Sequence, residues 1–145
     1  MKLKINLDMD GTFANLYGVD RWLDDLINER TRPYDEAKPL VNLSLLARTL
    51  NQLQRNGYEV NIISWTSKNS TTEYHNAVVA AKIAWLKKHM PSVEWDNLYI
   101  VPYGTPKQTL SSGYLFDDEE PNRKAWGDGA RTEKELIKEL RSLLA

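Results

Sequence analysis

Two acidic pairs frame the chemistry that this sequence could perform. Asp8 and Asp10 flank Met9 and run into Gly11-Thr12, and Asp117-Asp118 follow an apolar run far along the chain. On an extended backbone positions 8 and 10 face the same side. Carboxylates held that close repel unless a cation or a proton lies between them. Gly11 permits a sharp turn and lets backbone N–H groups approach an anion. Asp117 and Asp118 are hard oxygen donors of the kind that suits Mg²⁺. Between the pairs lie Ser64, Thr66 and Ser67, whose hydroxyls could hold a phosphate oxygen, and Lys107, which could add a positive charge. Each segment alone reads as an acidic turn or a polar loop. Together they make the parts of a Mg²⁺-assisted phosphoryl-transfer site: metal and lysine neutralise charge, a hydroxyl orients the group, and a carboxylate attacks.

Composition removes the competing chemistries. The chain has 145 residues, no cysteine and only two histidines, His75 and His89. Thiol catalysis, cysteine zinc sites and multi-histidine metal sites are excluded, so a metal must take oxygen ligands. Nineteen basic and twenty acidic residues give a net charge of −1, so no global field draws the protein to nucleic acid or membrane. The opening MKLKINLDMDG meets charge too soon for a signal peptide or a membrane span, and a cytoplasmic protein is expected.

These residues need elements to hold them. Leu3, Ile5 and Leu7 alternate with polar residues as a first strand, ended by Asp10-Gly11. Residues 20–30 predict a short helix with Leu23, Leu26 and Ile27 on one face, and 31–40, with two prolines, irregular structure. Ser44 opens a helix to about Asn56 carrying Leu46, Leu50 and Leu53, stopped by Gly57. Val60–Trp65 is a strand buried on both faces. Ser70 and Glu73 form a capping box for a long helix with the stripe Tyr74, Val78, Ala81 and Trp85. Leu98–Val101 and Tyr114–Phe116 are further strands. Thr132 and Glu135 cap a terminal helix. Alternating strands and helices predict a three-layer α/β/α Rossmann-like parallel sheet in a single domain, 1–145. Such sheets bind ligands beyond the carboxyl ends of their strands, which is where all four polar clusters fall.

In that order the clusters resemble the motifs of the haloacid dehalogenase (HAD) superfamily, in its phosphatase branch. Asp8-Met9-Asp10-Gly11-Thr12 looks like the first motif, the hydroxyls at 64–67 the second, Lys107 the third and Asp117-Asp118 the fourth. The layout is most similar to 5'(3')-deoxyribonucleotidases, with residues 13–43 as a small helical cap insert. The resemblance implies that Asp8 is the nucleophile forming an aspartyl-phosphate and that Asp10 is acid and then base. It also implies that Ser64 or Thr66, with Ser64 favoured, binds the phosphoryl group together with Lys107. Mg²⁺ would lie on Asp8, the Asp10 backbone carbonyl, and Asp117 or Asp118.

A small phosphorylated substrate follows, with nucleoside monophosphates as the expected class and a monomer or homodimer as the expected state. Tyr17, Trp22 and Tyr34 could stack a base, although packing of Trp22 on Leu26 is the plainer expectation. Arg21, Arg30, Arg32 and Lys38 read as a solvated face. Trp65, Trp85, Trp95 and Trp126 read as packing residues, and neither histidine is assigned to catalysis. Two other readings stand beside this one. A nucleic-acid end (3'-) phosphatase would exploit the small cap, but the balanced charge disfavours it. A catalytically silent HAD-fold binding module would need one of the acidic or basic site residues to be missing.

Overall fold

In the computed structural model, which describes residues 3–144, the chain builds outward from a central strand, β1 (Lys4–Leu7). A polar excursion follows, made of β2 (Ala14–Asn15), α1 (Trp22–Ile27), α2 (Arg32–Glu36) and β3 (Lys38–Pro39). The remaining elements are α3 (Leu43–Arg55), β4 (Glu59–Trp65), α4 (Thr72–His89), β5 (Asn97–Val101), β6 (Tyr114–Phe116), α5 (Glu120–Trp126), β7 (Ala130–Arg131) and α6 (Leu136–Ser142). Sheet order is β5-β4-β1-β6-β7, and every neighbouring pair is parallel. The chain moves outward from β1 through β4 to β5, then crosses back to add β6 and β7 on the other side. That reversal places the switch point at the carboxyl end of β1.

The sheet is buried through its middle. Ile5, Leu7, Val60, Ile62, Ile63 and Leu115 are fully buried. The first strand is not half-polar as its alternation suggests, because Asn6 is also fully buried. Asn6, Asn61 and Asn97 stand in register on three adjacent strands. The Asn61 amide donates to Asn6 Oδ1 at 3.0 Å, and the Asn97 amide donates to Asn61 Oδ1 at 3.0 Å. Asn6 in turn donates to the carbonyls of Ser112 and Tyr114, at 2.8 and 2.9 Å. Buried amides stay in a core only when paired in this way.

Helix starts differ from the sequence reading by a residue or two. Asn42, not Ser44, caps α3 by accepting from the Leu45 N–H. Thr71, not Ser70, caps α4 by accepting from the Tyr74 N–H, while the Ser70 hydroxyl donates back to the Ser67 carbonyl. No side chain caps α6, which begins at Leu136 rather than at the Thr132 box. The sequence pattern does not predict helix α5 or strand β7; both are short, and only a neighbour at the sheet edge gives β7 its identity.

Residues 14–39 leave and rejoin the sheet layer side by side, because β2 and β3 pair antiparallel, Ala14 opposite Pro39. The expected helix over 20–30 ends at Ile27, and Glu29 takes a left-handed φ of 54°. The stretch expected to be irregular instead forms α2, with Pro33 in its first turn, where a missing N–H costs nothing. Leu23 and Ile27 are exposed, and Leu26 alone of the three packs inward, against Leu16, Tyr34, Tyr74, Val78 and Ala81. The buried side of α1 is held by charge instead: Asp25 is paired with Arg32 at 2.6 Å and Arg30 at 3.3 Å. Glu29 and the Arg30 carbonyl reach α4, accepting from Thr71 and from the Tyr74 hydroxyl. No helix among the described residues is long and apolar enough to cross a membrane.

Candidate active site

The sheet's hydrogen bonds carry on one residue past the strands and fix one polar residue in each of three clusters. Asp8 N–H donates to the Phe116 carbonyl at 3.0 Å, Thr66 N–H to Val101 at 2.8 Å, and Asp117 N–H to Arg131 at 3.1 Å. These backbones are therefore as rigid as the sheet. After Asp8 the chain curls tightly: the N–H groups of Thr12, Phe13 and Ala14 all converge on the Met9 carbonyl. Gly11 makes the curl possible. Its φ is +80°, and a Cβ there would collide with the Asp118 carboxylate and come within 3.1 Å of the Tyr17 ring.

Asp8, Asp117 and Asp118 present carboxylate oxygens that all lie within 4.8 Å of one another. Lys107, almost wholly buried, bridges two of them: its Nζ is 3.0 Å from Asp8 Oδ1 and 2.7 Å from Asp117 Oδ2. Burial works against its charge, but the two carboxylates outweigh it and hold the ammonium at about 12. The carboxylates differ in how much protein already surrounds them. Asp117 also accepts from the Glu119 N–H at 2.9 Å and from the Asn122 amide at 3.2 Å. Asp118 is less enclosed: the Thr12 hydroxyl, which donates to Asp8 at 3.0 Å, lies 3.5 Å from it, and it lines the pocket. Burial, then the proximity of Asp8, pushes Asp118 up to about 8; Asp117 rises to about 6 for the same reasons, with Lys107 opposing. Three crowded carboxylates with one lysine leave negative charge to be balanced. All-oxygen donors at this spacing suit a hard divalent cation such as Mg²⁺.

Asp10 stands apart from that cluster. Its carboxylate is not one of the three that converge; Oδ2 is instead 2.6 Å from Lys82 Nζ. Sequence reasoning missed Lys82. The signal was present, since Lys82 lies four residues after Val78 and eight after Tyr74, inside the apolar stripe of α4. A lysine there has no route to water, and it is 1% exposed.

The hydroxyl cluster divides. Ser64 is fully buried, and its Oγ is 2.6 Å from Lys82 Nζ, so the favoured sequence choice faces the protein interior rather than the pocket. Thr66 and Ser67 line the pocket. Side chains alternate along β4, so Ser64 and Thr66 should share a face; Ser64 lies within the strand and is engaged by Lys82, whereas Thr66 lies just past its last residue, Trp65, and lines the pocket. Thr66 Oγ1 is 2.7 Å from His75 Nδ1, and Ser67 Oγ pairs with the Tyr34 hydroxyl. His75, left out of the sequence-based site, thus touches it at one remove.

Above the carboxylates opens a cavity of about 490 Å³. Tyr17, Trp22, Trp65 and Tyr103 contribute to its wall, with Asp8, Asp10, Thr66, Lys107 and Asp118 at its floor. Tyr17 and Trp22 meet edge to face at 5.0 Å, and Trp65 and Tyr103 lie 4.9 Å apart. Trp22 and Trp65 are therefore pocket residues rather than packing residues alone. Arg30 and Arg32 are occupied with Asp25.

The fold and the strand-end cluster define an α/β protein with a parallel sheet, an acidic floor and an aromatic pocket. No protein-family model matches the chain, and no curated protein matches it. Among solved structures it is similar to D,D-heptose 1,7-bisphosphate phosphatase from Burkholderia thailandensis, with a TM-score of 0.62 and 13% identity over 99% of both chains. It is also similar to D,D-heptose 1,7-bisphosphate phosphatase from B. bronchiseptica complexed with magnesium and phosphate. That match has a TM-score of 0.60 and 17% identity, and covers 99% of this chain and 98% of the other. The chain shares the fold of these two phosphatases across its whole length. Neither is a deoxyribonucleotidase.

Proposed function

We propose that this chain is a Mg²⁺-dependent phosphomonoesterase that works through an aspartyl-phosphate on Asp8. The observation that carries the reading is the convergence of Asp8, Asp117, Asp118 and Lys107 at the switch point of the sheet. The motif resemblance to haloacid dehalogenase phosphatases and the fold shared with two phosphatases, one of them complexed with magnesium and phosphate, support it.

Asp8, Asp117 and Asp118 would hold Mg²⁺, with Asp118 offering the carboxylate least engaged by protein. When bound, the metal neutralises phosphoryl charge. Lys107 fixes Asp8 and adds a second positive charge beside the transferring group. Thr66 offers the phosphoryl oxygens a hydroxyl. An Asp8 oxygen attacks phosphorus and the bond to the leaving oxygen breaks, with Asp10 giving that oxygen its proton. Asp10 then takes a proton from water, which attacks the acyl phosphate and releases inorganic phosphate. The excursion at 14–39 serves as the cap, since it supplies Tyr17, Trp22 and Tyr34 to the pocket.

Nucleoside monophosphates are the substrate class that the aromatic wall fits, because every base offers a π-face to stack on. A screen of nucleoside monophosphates, sugar phosphates including heptose bisphosphates, and a 3'-phosphorylated oligonucleotide tests this with and without Mg²⁺. Preference for mononucleotides supports the finer reading, and preference for sugar phosphates overturns it. Loss of turnover in Asp8→Asn is required; unchanged turnover rejects the nucleophile.

A further inference from the structure

Lys82 is a charged side chain, 1% exposed, that the phosphoryl chemistry above does not use. It projects from the middle of α4, between Val78 and Trp85, at a position where an aliphatic side chain would complete the stripe. Its ammonium has three neighbours: Asp10 Oδ2 at 2.6 Å, Ser64 Oγ at 2.6 Å, and the face of the Tyr34 ring with its centroid at 5.1 Å. Taking a lysine and a carboxylate out of water is expensive, and an apolar pair of similar volume is often at least as stable. Fold stability alone therefore gives no reason for this pair.

The two ends of the pair are unequal. Lys82 is enclosed on every side, whereas the Asp10 side chain is 15% exposed and lines the pocket. Lys82 holds Oδ2, and among the described residues Oδ1 makes no hydrogen bond, which leaves it facing the cavity. Ser64, fully buried and next to the last residue of β4, accepts from the ammonium and ties it to the sheet. Tyr34 belongs to the excursion and is tied to Ser67, so the same ammonium also packs against the cap.

We propose that Lys82 is a positioning residue that holds the Asp10 carboxyl over the pocket, turned away from the Asp8–Asp117–Asp118 cluster, so that its free oxygen meets the leaving group. This rests on the phosphatase reading and on Asp10 as its acid and base. It also accounts for Ser64, whose hydroxyl anchors Lys82 and does not bind phosphate.

The test uses single-turnover kinetics with two esters in Mg²⁺ buffer. An alkyl phosphate needs its leaving oxygen protonated; p-nitrophenyl phosphate expels a stable anion and does not. General acid catalysis is worth about 10²–10⁴-fold, so Lys82→Met should slow alkyl ester cleavage about 100-fold and nitrophenolate release less than about 5-fold. In an Asp10→Asn background the same substitution should change alkyl cleavage less than about 2-fold, because the residue acts through Asp10. Equal losses on both esters, or full extra loss in the Asp10→Asn background, overturn the proposal. Circular dichroism checks folding. If Lys82→Met does not fold, Lys82→Gln, which keeps a donor, replaces it and should show the same inequality between esters. A wild-type protein inactive on both esters overturns the phosphatase reading itself, an outcome distinct from a wild type that cleaves both while Lys82→Met loses them equally.

Discussion

His75 Nδ1 and Thr66 Oγ1 lie 2.7 Å apart, joining a helix first turn to the loop beyond β4. If the histidine nitrogen donates, the threonine oxygen is satisfied and its own proton is free for a phosphate oxygen. The ring thus decides which way the hydroxyl points. Thr66→Ala should lower kcat/KM for a phosphate ester about 10-fold or more, in line with the loss of a hydrogen bond to a charged group of about 1.5–3 kcal/mol. His75→Phe should raise KM about 5-fold, the value of one neutral hydrogen bond. Ser64→Ala should leave KM within about 3-fold, because its hydroxyl faces Lys82 and not the pocket. Steady-state kinetics on the three variants check the order; a KM effect larger for Ser64→Ala than for Thr66→Ala reverses the assignment.

The raised acids make metal-free stability depend on pH. Asp118 titrates at about 8 and Asp117 at about 6 in the folded protein, against 3.8 for each when unfolded. Between pH ~4 and ~8 the native state therefore binds more protons than the unfolded chain, and stability from this cluster falls as pH rises through that window. With chelator present, Tm should drop between pH 5.5 and 8. Mg²⁺ binds the deprotonated carboxylates, so its addition should raise Tm more at pH 8 than at pH 5.5, and its apparent affinity should weaken as pH falls below 8. A Mg²⁺ shift that is larger at pH 5.5 would refute the assignment of the metal to these acids.

Gly11 is held by geometry from two directions, a left-handed φ of +80° and the Asp118 carboxylate in the space a Cβ would take. Gly11→Ala has to move Asp118 or unwind the curl after Asp8, and either separates the metal ligands. The expected outcome is a Mg²⁺ affinity at least about 10-fold weaker, with a stability loss of about 1–3 kcal/mol from the strained backbone. Isothermal titration with Mg²⁺ and urea unfolding measure the two separately. Normal Mg²⁺ affinity in a folded Gly11→Ala protein would show that the curl is not what places Asp118.

Strand ends are the legible part of this sequence. A run such as Val60–Trp65 announces a buried strand, and a polar residue straight after it must lie at the sheet edge, so Asp8, Thr66 and Asp117 can be gathered without coordinates; Lys107, six residues past the end of β5, joins them through the order of the motifs. Register and side-chain direction are not legible. Ser64 and Thr66 are equivalent by alternation, and what separates them is Lys82, which engages Ser64 inside the strand and leaves Thr66 to the pocket. Lys82 is hidden for a different reason. Its place in the apolar stripe of α4 marks it as buried, but its partners Asp10 and Ser64 come from other elements, and only the packing of α4 against the sheet brings them together. The excursion departs from expectation where local propensity is weakest: α1 has six residues, and a buried Asp25 with two arginines, not an apolar face, orients it.

The asparagine row across β1, β4 and β5 carries the last prediction. Asn61 is its centre, fully buried, donating to Asn6 Oδ1 and to Glu59 at 2.9 Å while accepting from Asn97. Asn61→Leu is close in volume and would suit the strand, yet it leaves Asn6 Oδ1 without its donor in a place water does not reach. An unpaired buried acceptor costs about 1–3 kcal/mol, and Asn97, only half-buried, can turn to solvent. Asn61→Leu should therefore lower stability by about 2 kcal/mol in urea unfolding with an unchanged m-value. Asn6→Leu alone also takes the donor from the Ser112 and Tyr114 carbonyls, so the test is the cycle: the double variant Asn6→Leu/Asn61→Leu should lose less than the sum of the two single losses, because the bond between the two amides is counted in both. If the double variant loses the sum of the single losses, the two amides do not act as a pair.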